Sequence, residues 1–385
     1  MKPESVKNLL SDLVRIPSVN QFITGEIKAE QKIAEYLKNL SESSGLKTQL
    51  LEVSGCAPNL LITKEFKKSA PWIMFCAHMD TVSADGMNFD PFCGEEKNGR
   101  ILGRGSNDDK GSIAAALWAL KEVISEDNCV NNIALLFTVD EEQHRSGAAA
   151  FCNEQLPKLN FKPQGVVIAE PTSLMPIVAH AGIGHFKVIV KGIAAHASDP
   201  SKGRSAIKDM VKVMDAIEKD YIAKLTAVHP LCGKAQCSIN MITGGRQING
   251  IPDECIIRVD RRVMPGEDVD SVIPEVEKVL SGLRKQDPGL RVTAESDFKD
   301  NPLSQDLSTP FITKTLEAIK KAGLDSTPIG AAFATDAGAF SAIGLPCVVL
   351  GPGEDKNSHT ADESIAVKEL EEGVRVFKEL MRFKY

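Results

Sequence analysis

The ten residues 71–80, PWIMFCAHMD, decide the fold of this chain. Residues 72–77 have the continuous apolar character of a buried strand, and His78 and Asp80 follow it directly. Because residues two apart on a strand point to the same face, the imidazole and the carboxylate are expected side by side. A carboxylate commonly fixes the tautomer and the aim of a metal-binding histidine. The pair therefore indicates a metal site at a strand end, although a surface loop pair has the same short pattern.

The size and charge of the chain narrow the class of protein. A length of 385 residues exceeds what one ordinary core absorbs, so two domains are expected. The net charge of −7 and the lack of a long Lys/Arg cluster argue against a nucleic-acid partner and favour a small or peptide-like substrate. No apolar run approaches the length of a membrane span, and residues 1–16 resemble an amphipathic helix more than a signal peptide. These patterns predict a cytoplasmic protein with no membrane partner.

The nine cysteines bear on the chemistry of any metal site. They are odd in number, are scattered, and include no Cys-x-x-Cys pair, which argues against a disulfide scaffold or a thiolate zinc site. Several lie in apolar runs, where a reduced thiol behaves as a small hydrophobic group. Any metal ligands are therefore expected to be imidazoles and carboxylates.

A glycine-rich loop, residues 103–112 (GRGSNDDKGS), precedes an alanine-rich segment, residues 113–124, that predicts a helix. The dinucleotide-binding pattern fails here because Asp108 occupies the position of the third glycine. Asp108 is interpreted either as a helix cap or as a carboxylate ligand presented by a tight turn. The two interpretations are compatible if Ser106 or Asp109 provides the cap while Asp108 points inward.

Polar side chains follow three further predicted strands. These are Glu141 and Glu142 after residues 132–139, Glu170 after residues 165–169, and His359 in the loop beyond residues 345–350. In an α/β sheet, ligand and catalytic groups gather at the carboxyl ends of the strands. Two adjacent glutamates can divide labour there, one binding metal and the other acting as general base. A solvated acidic face is the alternative for residues 140–142.

The middle of the chain has a different order of predicted elements. Residues 177–298 follow the order βαββαβ of a ferredoxin-like α+β unit. An α/β pattern precedes this segment and resumes after it. The sequence therefore predicts one α/β domain from residues 1–176 and 299–385, with a central mixed, mostly parallel sheet flanked by helices, and an inserted domain at residues 177–298.

Two histidines and three carboxylates are thus expected beyond strand ends of one domain. They are His78, Asp108, Glu142, Glu170 and His359, with Glu141 beside them. This ligand set suits two zinc ions that share one bridging carboxylate, and it disfavours copper(I) or iron–sulfur chemistry.

Six blocks of sequence together resemble the dinuclear zinc metallopeptidase superfamily, which contains N-acetylornithine deacetylase, succinyl-diaminopimelate desuccinylase, aminoacylase and glutamate carboxypeptidases. The blocks are HMDTV (78–82), GRGSNDDKG (103–111), TVDEE (138–142), AEPT (169–172), INGIPDECIIRVDRRVMPGE (248–267) and GPGEDKNSHTADE (351–363). They occur in the family's order over nearly the whole chain, with the insertion in the matching place.

The resemblance implies a role for each matching residue around two zinc ions per subunit, for which cobalt can substitute. Asp108 would bridge the metals, His78 and Glu170 would complete one site, and Glu142 and His359 the other. Glu141 would be the general base and acid, and Asp80 would clamp His78. The peptide between Asp108 and Asp109 is expected to be cis.

The resemblance also implies a lid and dimerisation role for the inserted domain in a homodimer. His196 matches a lid histidine that reaches the partner's active site and stabilises the oxyanion, and Arg262 matches a position that holds the substrate carboxylate. Thr335 and Gly338 lie in the matching substrate loop. An ordinary loop histidine and a surface salt bridge remain the alternatives for His196 and Arg262.

The expected substrate is an N-acylated amino acid or a dipeptide. The ATDAG loop looks more like the acetylornithine deacetylase branch, because residues 332–336, AFATD, lack the two glycines expected of a desuccinylase. A desuccinylase, dipeptidase or carboxypeptidase activity stays open. A catalytically silent zinc-binding dimeric protein is an alternative of another class, which the presence of Glu141 disfavours. An oxidoreductase of the dinucleotide-binding type would need the missing glycine fingerprint.

Overall fold

The computed structural model describes residues 3–385, which divide into two units. The first unit contains the chain up to Val178 together with Gln305–Ile329 and Thr335–Tyr385. The second contains Ala179–Ser304 and Gly330–Ala334. The second boundary falls after residue 304 instead of the expected residue 298, because the strand Arg291–Asp300 belongs wholly to the sheet of the second unit.

A mixed sheet with parallel strands at its centre organises the first unit, which confirms the predicted fold class. The sheet has nine strands, and the six that lie wholly within the first unit are, in spatial order, Lys47–Leu51, Asn59–Lys64, Asn132–Thr138, Trp72–His78, Pro163–Ile168 and Cys347–Val349. The other three are Ile177–His180, Leu303–Ser304 and Ile329–Ala331. The last four of the six run parallel to one another. Lys47–Leu51 and Asn59–Lys64 pair antiparallel, and Asn59–Lys64 is also antiparallel to Asn132–Thr138. Every residue of Asn132–Thr138 is buried, as expected for a strand that is covered on both faces.

Helices supply the cover of this sheet. The α-helices of the first unit are Val6–Val14, Gln21–Thr24, Gln31–Glu42, Lys110–Glu126, Ser146–Ala150, Pro310–Lys321, Ala337–Ala342 and Val367–Arg382. Lys110–Glu126 packs against both Val6–Val14 and Val367–Arg382, and its alanines allow the close approach. Phe377 of the last helix meets Phe75 of the central strand edge to face, with ring centroids 5.4 Å apart.

Parallel strands place their carboxyl ends at one edge of the sheet, and this edge carries the candidate site. The strand Trp72–His78 ends at His78 itself. The strand Asn132–Thr138 lies beside it, with His78 opposite Thr138, and runs on toward Glu141. Pro163–Ile168 flanks the other side and runs on toward Glu170. The topology therefore brings these side chains to neighbouring positions.

The second unit is a four-stranded antiparallel sheet with two helices. Its strands, in spatial order, are Gln236–Gly244, Glu254–Val263, Gly182–Lys191 and Arg291–Asp300. Its helices are Ala206–Asp220 and Val272–Gln286, and their buried faces join those of the strands in a separate core. The chain order and the sheet order together are those of the ferredoxin-like split βαβ arrangement.

Two helix boundaries differ from expectation for local reasons. The spacing of residues 26–44 in the sequence predicts a helix from Glu26. The helix begins instead at Gln31, because the preceding residues form turns and Lys28 has a φ of +57°. The sequence also predicts a closing helix over residues 363–382. This helix begins instead at Val367, because Ser364–Ala366 pairs as a strand with Arg100–Leu102. Across residues 3–385, none of the helices is long and apolar enough to cross a membrane.

Candidate metal centre and active site

His78 lies at the centre of a buried cluster of acids. Its side chain is 2% exposed, and its Nε2 lies 3.0 Å from Asp108 Oδ1 and 3.9 Å from Glu170 Oε2. Its Nδ1 lies 3.0 Å from the main-chain carbonyl oxygen of Asp80 and 3.5 Å from the Asp80 carboxylate. The ring is therefore fixed from behind, chiefly by a carbonyl, while its other nitrogen faces the acids.

Asp108 lies between two imidazoles. Its Oδ1 faces His78, and its Oδ2 is 3.3 Å from His359 Nε2. The loop that carries it turns at Gly103 and Gly105, both with positive φ, and the Asp108–Asp109 peptide is cis, as the resemblance implied. One carboxylate thus presents a separate oxygen to each histidine, which is the arrangement needed of a bridging ligand.

Glu142 and Glu170 complete the two sides of this arrangement. His359 Nε2 is 3.1 Å from Glu142 Oε1, and the His359 side chain is half exposed, at 51%. Two groups have donor atoms that all lie within 4.8 Å of one another: His78 with Asp108 and Glu142, and His78 with Asp109 and Glu170. The five residues predicted as metal ligands are therefore neighbours at one edge of the sheet.

The charges of this cluster suit divalent cations. Burial raises the pKa of Glu170 well above its usual value and that of Glu142 to about 7. Burial alone would raise the pKa of Asp108 too, but hydrogen bonds from His359 and His78 hold it below its ordinary value. Hydrogen bonds to Asp108 and Glu142 raise the pKa of His359 to about 10. Acids outnumber imidazoles, and the donor atoms converge within 4.8 Å of one another in two groups, so the residues present fit two metal ions.

Asp80 connects the histidine to the adjacent strand end. Its Oδ1 accepts the backbone N–H of Glu141 at 3.0 Å, and its Oδ2 accepts that of Glu142 at 3.1 Å. Asn20, which is fully buried, donates from Nδ2 both to Asp80 Oδ2 at 2.8 Å and to Asp140 Oδ1 at 2.9 Å. The expected clamp therefore acts as much on the Glu141–Glu142 backbone as on the imidazole.

Glu141 is an acid beside the cluster that does not belong to the candidate ligand set. Its side chain is 8% exposed, and its Oε1 accepts a hydrogen bond from Arg145 Nε at 2.8 Å. Its charge contributes to the raised pKa values of both Glu170 and Asp336, after the larger effect of burial. A carboxylate thus lies close to the candidate ligands without belonging to either metal-binding group.

Glu363 is a functional candidate that the sequence analysis did not single out. It is fully buried, and its Oε1 accepts the backbone N–H groups of Gly105, Asn107 and Asp108 at 3.0–3.1 Å. Its Oε2 accepts a hydrogen bond from Arg104. It therefore holds the loop that presents Asp108. Its place in the block 351–363, four residues after His359, is the signal that could have found it.

Other missed residues are buried acids near the strand ends. Asp109 accepts the backbone N–H of His78 at 3.2 Å. Asp336 accepts a hydrogen bond from the Thr138 hydroxyl at 2.7 Å. Asp109 adjoins a predicted ligand and Asp336 lies inside the ATDAG loop, so both had weak sequence signals. Asn20 and Arg145 lie in stretches without a recognisable pattern.

Thr335 and Gly338 lie in the first unit, at the start of the helix Ala337–Ala342. The Thr335 hydroxyl accepts the backbone N–H of Ala337 at 3.2 Å, and Gly338 is buried in the helix. The structure thus shows both residues in a local helix-start arrangement.

His196 and Arg262 belong to the second unit. His196 is exposed, and its Nδ1 lies 2.7 Å from the Ser198 hydroxyl. Arg262 forms an ion pair with Asp260 on its own strand, with Nε and Oδ1 3.0 Å apart. Asp260 also lies 3.6 Å from His185. Arg262 is thus observed in a salt bridge, which is the alternative interpretation of this residue.

Comparisons with known proteins agree with this architecture. The sequence profile of Peptidase family M20/M25/M40 matches residues 74–382. A probable succinyl-diaminopimelate desuccinylase of Staphylococcus epidermidis is 28% identical over 97% of this chain and 96% of its own length. An acetylornithine deacetylase of Buchnera aphidicola is 26% identical over 99% of this chain and 98% of its own.

Solved structures share the fold at lower identity. The metallo-carboxypeptidase Sso-CP2 of Sulfolobus solfataricus has a TM-score of 0.81 with 18% identity, covering 99% of both chains. The YXEP protein of Bacillus subtilis, described as a dinuclear metal binding peptidase, has a TM-score of 0.72 with 14% identity, covering 98% of this chain and 96% of its own.

Proposed function

Because the chain belongs to Peptidase family M20/M25/M40 and is a hydrolase of that metal-dependent family, we propose that it cleaves the amide bond of an N-acylated amino acid with two zinc ions. The observation that carries the proposal is the position of Asp108, whose two oxygens face His78 and His359. Glu170 lies on the first side and Glu142 on the second. This is the donor arrangement that a bridged pair of metal ions needs.

His78, Glu170 and one oxygen of Asp108 would hold the first ion, and His359, Glu142 and the other oxygen would hold the second. Imidazole and carboxylate donors are those that zinc commonly takes, and cobalt accepts the same set. Bound there, the ions would polarise the scissile carbonyl and make water more acidic. The carbonyl of Asp80 would keep His78 Nδ1 protonated and Nε2 available.

Glu141 would move the proton. It lies beside the candidate ligands, is nearly buried, and its backbone is anchored by the Asp80 carboxylate. As a carboxylate it would accept the proton of the attacking water, and as an acid it would deliver that proton to the departing amine. The same atoms thus serve both halves of the hydrolysis.

The second unit would supply the lid. His196 is exposed and therefore accessible to a partner copy, which supports its role in stabilising the oxyanion. Arg262 would hold the substrate carboxylate after exchanging its ion pair with Asp260, and the loop of Thr335 and Gly338 would border the substrate. Exposed apolar side chains on the edge strand, Met241 and Ile242, support dimerisation through this unit in a cytoplasmic enzyme.

The acyl group is proposed from the substrate loop. Residues 332–336, AFATD, favour an acetyl group and an N-acetylornithine-like substrate. The relatives named desuccinylase make an N-succinyl substrate the second candidate. Release of free amine from N-acetyl, N-succinyl and dipeptide substrates, with zinc or cobalt added and then chelated, separates the candidates. Turnover that survives chelation would refute the metal-dependent mechanism, and zinc binding without turnover of any substrate would favour the silent binding protein.

Two variants test the site itself. Glu141→Gln should keep two zinc ions per subunit and lose turnover by at least about 100-fold, the usual size of a general acid–base contribution. His78→Ala should lower the zinc content measured by atomic absorption. Glu154→Gln, at an exposed glutamate, and His229→Ala, at a histidine outside the candidate ligand set, are the matched controls. Wild-type turnover in Glu141→Gln would remove the base assignment, and unchanged zinc content in His78→Ala would remove the ligand set.

A further inference from the structure

Arg145 is a cation directly attached to the proposed base. Its Nε donates to Glu141 Oε1 at 2.8 Å, and the two side chains are only 12% and 8% exposed. A hydrogen bond between ionised groups with little water around them is stronger and better oriented than one at the surface. This contact is therefore unlike the many exposed ion pairs of the protein, which contribute little.

The backbone fixes Arg145 independently of its side chain. Arg145 has a φ of +54° and precedes the short helix Ser146–Ala150. Its N–H donates to the carbonyl of Asp140, the residue just before Glu141. The segment Asp140–Arg145 thus closes on itself, which places the guanidinium next to Glu141 by local geometry.

The surroundings explain why a cation is useful at this position. Glu141 lies close enough to Glu170 and Asp336, both buried, for its charge to act on them. Burial, and then the charge of Glu141, raise the pKa of Asp336 to about 8, whereas Arg145 acts in the opposite direction. Arg145 thus offsets the repulsion that would otherwise turn the Glu141 carboxylate away from its acidic neighbours.

We propose that Arg145 is a positioning residue that holds the Glu141 carboxylate in the orientation from which it exchanges a proton with water and with the leaving amine. This inference rests on the proposed role of Glu141. The proposal depends on the hydrogen bond from Arg145 Nε to Glu141 Oε1. This bond fixes one carboxylate oxygen and thereby restricts the orientation of the carboxylate plane. A guanidinium does this with a rigid planar donor, whereas the flexible point charge of lysine does not.

Three variants test the proposal, with kcat, KM, zinc content and melting temperature measured for each. Arg145→Gln should lower kcat by about 10- to 100-fold, the range of one hydrogen bond to a charged group, with KM and zinc content unchanged. Arg145→Lys should recover part of kcat, because it restores charge without the planar donor. Arg15→Gln, at an exposed ion pair with Asp12, is the control and should match the wild type.

Arg145→Gly provides the readout that a merely structural role would not give. Glycine accepts the φ of +54° without strain, so the backbone should survive while the guanidinium is removed. Added methylguanidinium should then restore kcat in a concentration-dependent way, and methylammonium at the same concentration should restore it less. Rescue by both cations equally would assign Arg145 a charge effect only and overturn the positioning role.

The outcomes also separate this proposal from the proposed function. Full activity of Glu141→Gln would remove the base and the function of Arg145 with it. An inactive Glu141→Gln together with wild-type kcat in Arg145→Gln would overturn the role of Arg145 alone. If zinc content and melting temperature fall together with kcat in all three Arg145 variants, Arg145 has a role in folding and the proposal is overturned too.

Discussion

Glu30→Gln should change how stability depends on pH, because Glu30 is a carboxyl group buried beside other acids. It is fully buried at the start of the helix Gln31–Glu42, and within residues 3–385 neither of its carboxyl oxygens makes a hydrogen bond of ordinary geometry. Burial and the negative charges of Asp80 and Asp140 raise its pKa to about 7 from 4.5. The group is therefore expected to be protonated in the folded protein at pH values where it ionises in the unfolded chain.

The size of the effect follows from this pKa. A carboxyl pKa that rises from 4.5 to about 7 on folding corresponds to about 3 kcal/mol of stability. Because the folded pKa is the higher one, that stability is complete below pH 4.5 and is lost progressively as the pH rises from 4.5 through 7. Glutamine has nearly the same shape and does not ionise, so the variant should not lose it.

Thermal unfolding of the metal-loaded protein between pH 5 and pH 8.5 measures this difference. Glu30→Gln should lie within about 1 kcal/mol of the wild type at pH 5, exceed it increasingly as the pH rises from 5 to 7, and remain more stable by about 3 kcal/mol above pH 7. Glu35→Gln, an exposed position on the same helix, should follow the wild type at every pH. Parallel curves for the wild type and Glu30→Gln would refute the reasoning, since the other groups that titrate in this range are common to both proteins.

Two further predictions concern the loop of Asp108 and the packing of the sheet. Glu363→Gln should weaken zinc binding by about 10- to 100-fold in calorimetric titration, because Glu363 orients the loop through three backbone N–H groups. The control Glu371→Gln, at an exposed position, should bind zinc as the wild type does. Equal zinc affinity of the two variants would contradict the role of Glu363. Gly165→Ala should lower the free energy of unfolding by about 1–3 kcal/mol, because a Cβ at Gly165 would lie 2.3 Å from the ring of Phe311. Gly282→Ala lies in a helix, and within residues 3–385 the added carbon would meet no atom within 4 Å other than its chain neighbours and the helix backbone. It should be neutral or stabilising by up to about 1 kcal/mol, and a similar loss in both variants would show that close approach is not the cause.

The fold was predictable where one local pattern had one structural solution. An apolar run such as residues 72–77 between polar boundaries predicts a buried strand, and strands that alternate with helices predict a parallel sheet. Ser364–Ala366 escaped prediction because three residues before a helix carry no period, and only pairing with Arg100–Leu102 makes them a strand. The predicted helix start at Glu26 failed in the same way, since the turn at Lys28 has no proline or glycine signal.

The candidate ligands were predictable for a related reason. His78, Asp108, Glu142, Glu170 and His359 all follow strands or lie in loops, so their position in the chain already indicated a shared edge of the sheet. Asn20, Glu30 and Arg145 have no comparable signal in the sequence. Asn20 caps a four-residue helix and Glu30 precedes a helix, which are ordinary places for these residues. Only the folded chain brings them against Asp80, Asp140 and Glu141.

Six of the buried acids form two groups, here called layers, whose negative charge is balanced in different ways. The layer facing the histidines contains Asp108, Glu142 and Glu170, and a pair of divalent ions suits it because its donors converge. The layer behind it contains Asp80, Asp140 and Glu30, and Asn20 donates to the first two of these, which leaves Glu30 to be neutralised by a proton. Metal loading should therefore stabilise the wild type and Glu30→Gln by the same amount at pH 5, because the proton on Glu30 does not depend on the metal. Thermal unfolding of both proteins before and after chelation tests this independence. If the stabilisation by zinc at pH 5 differs between the two proteins by more than about 1 kcal/mol, the two layers titrate as one coupled group.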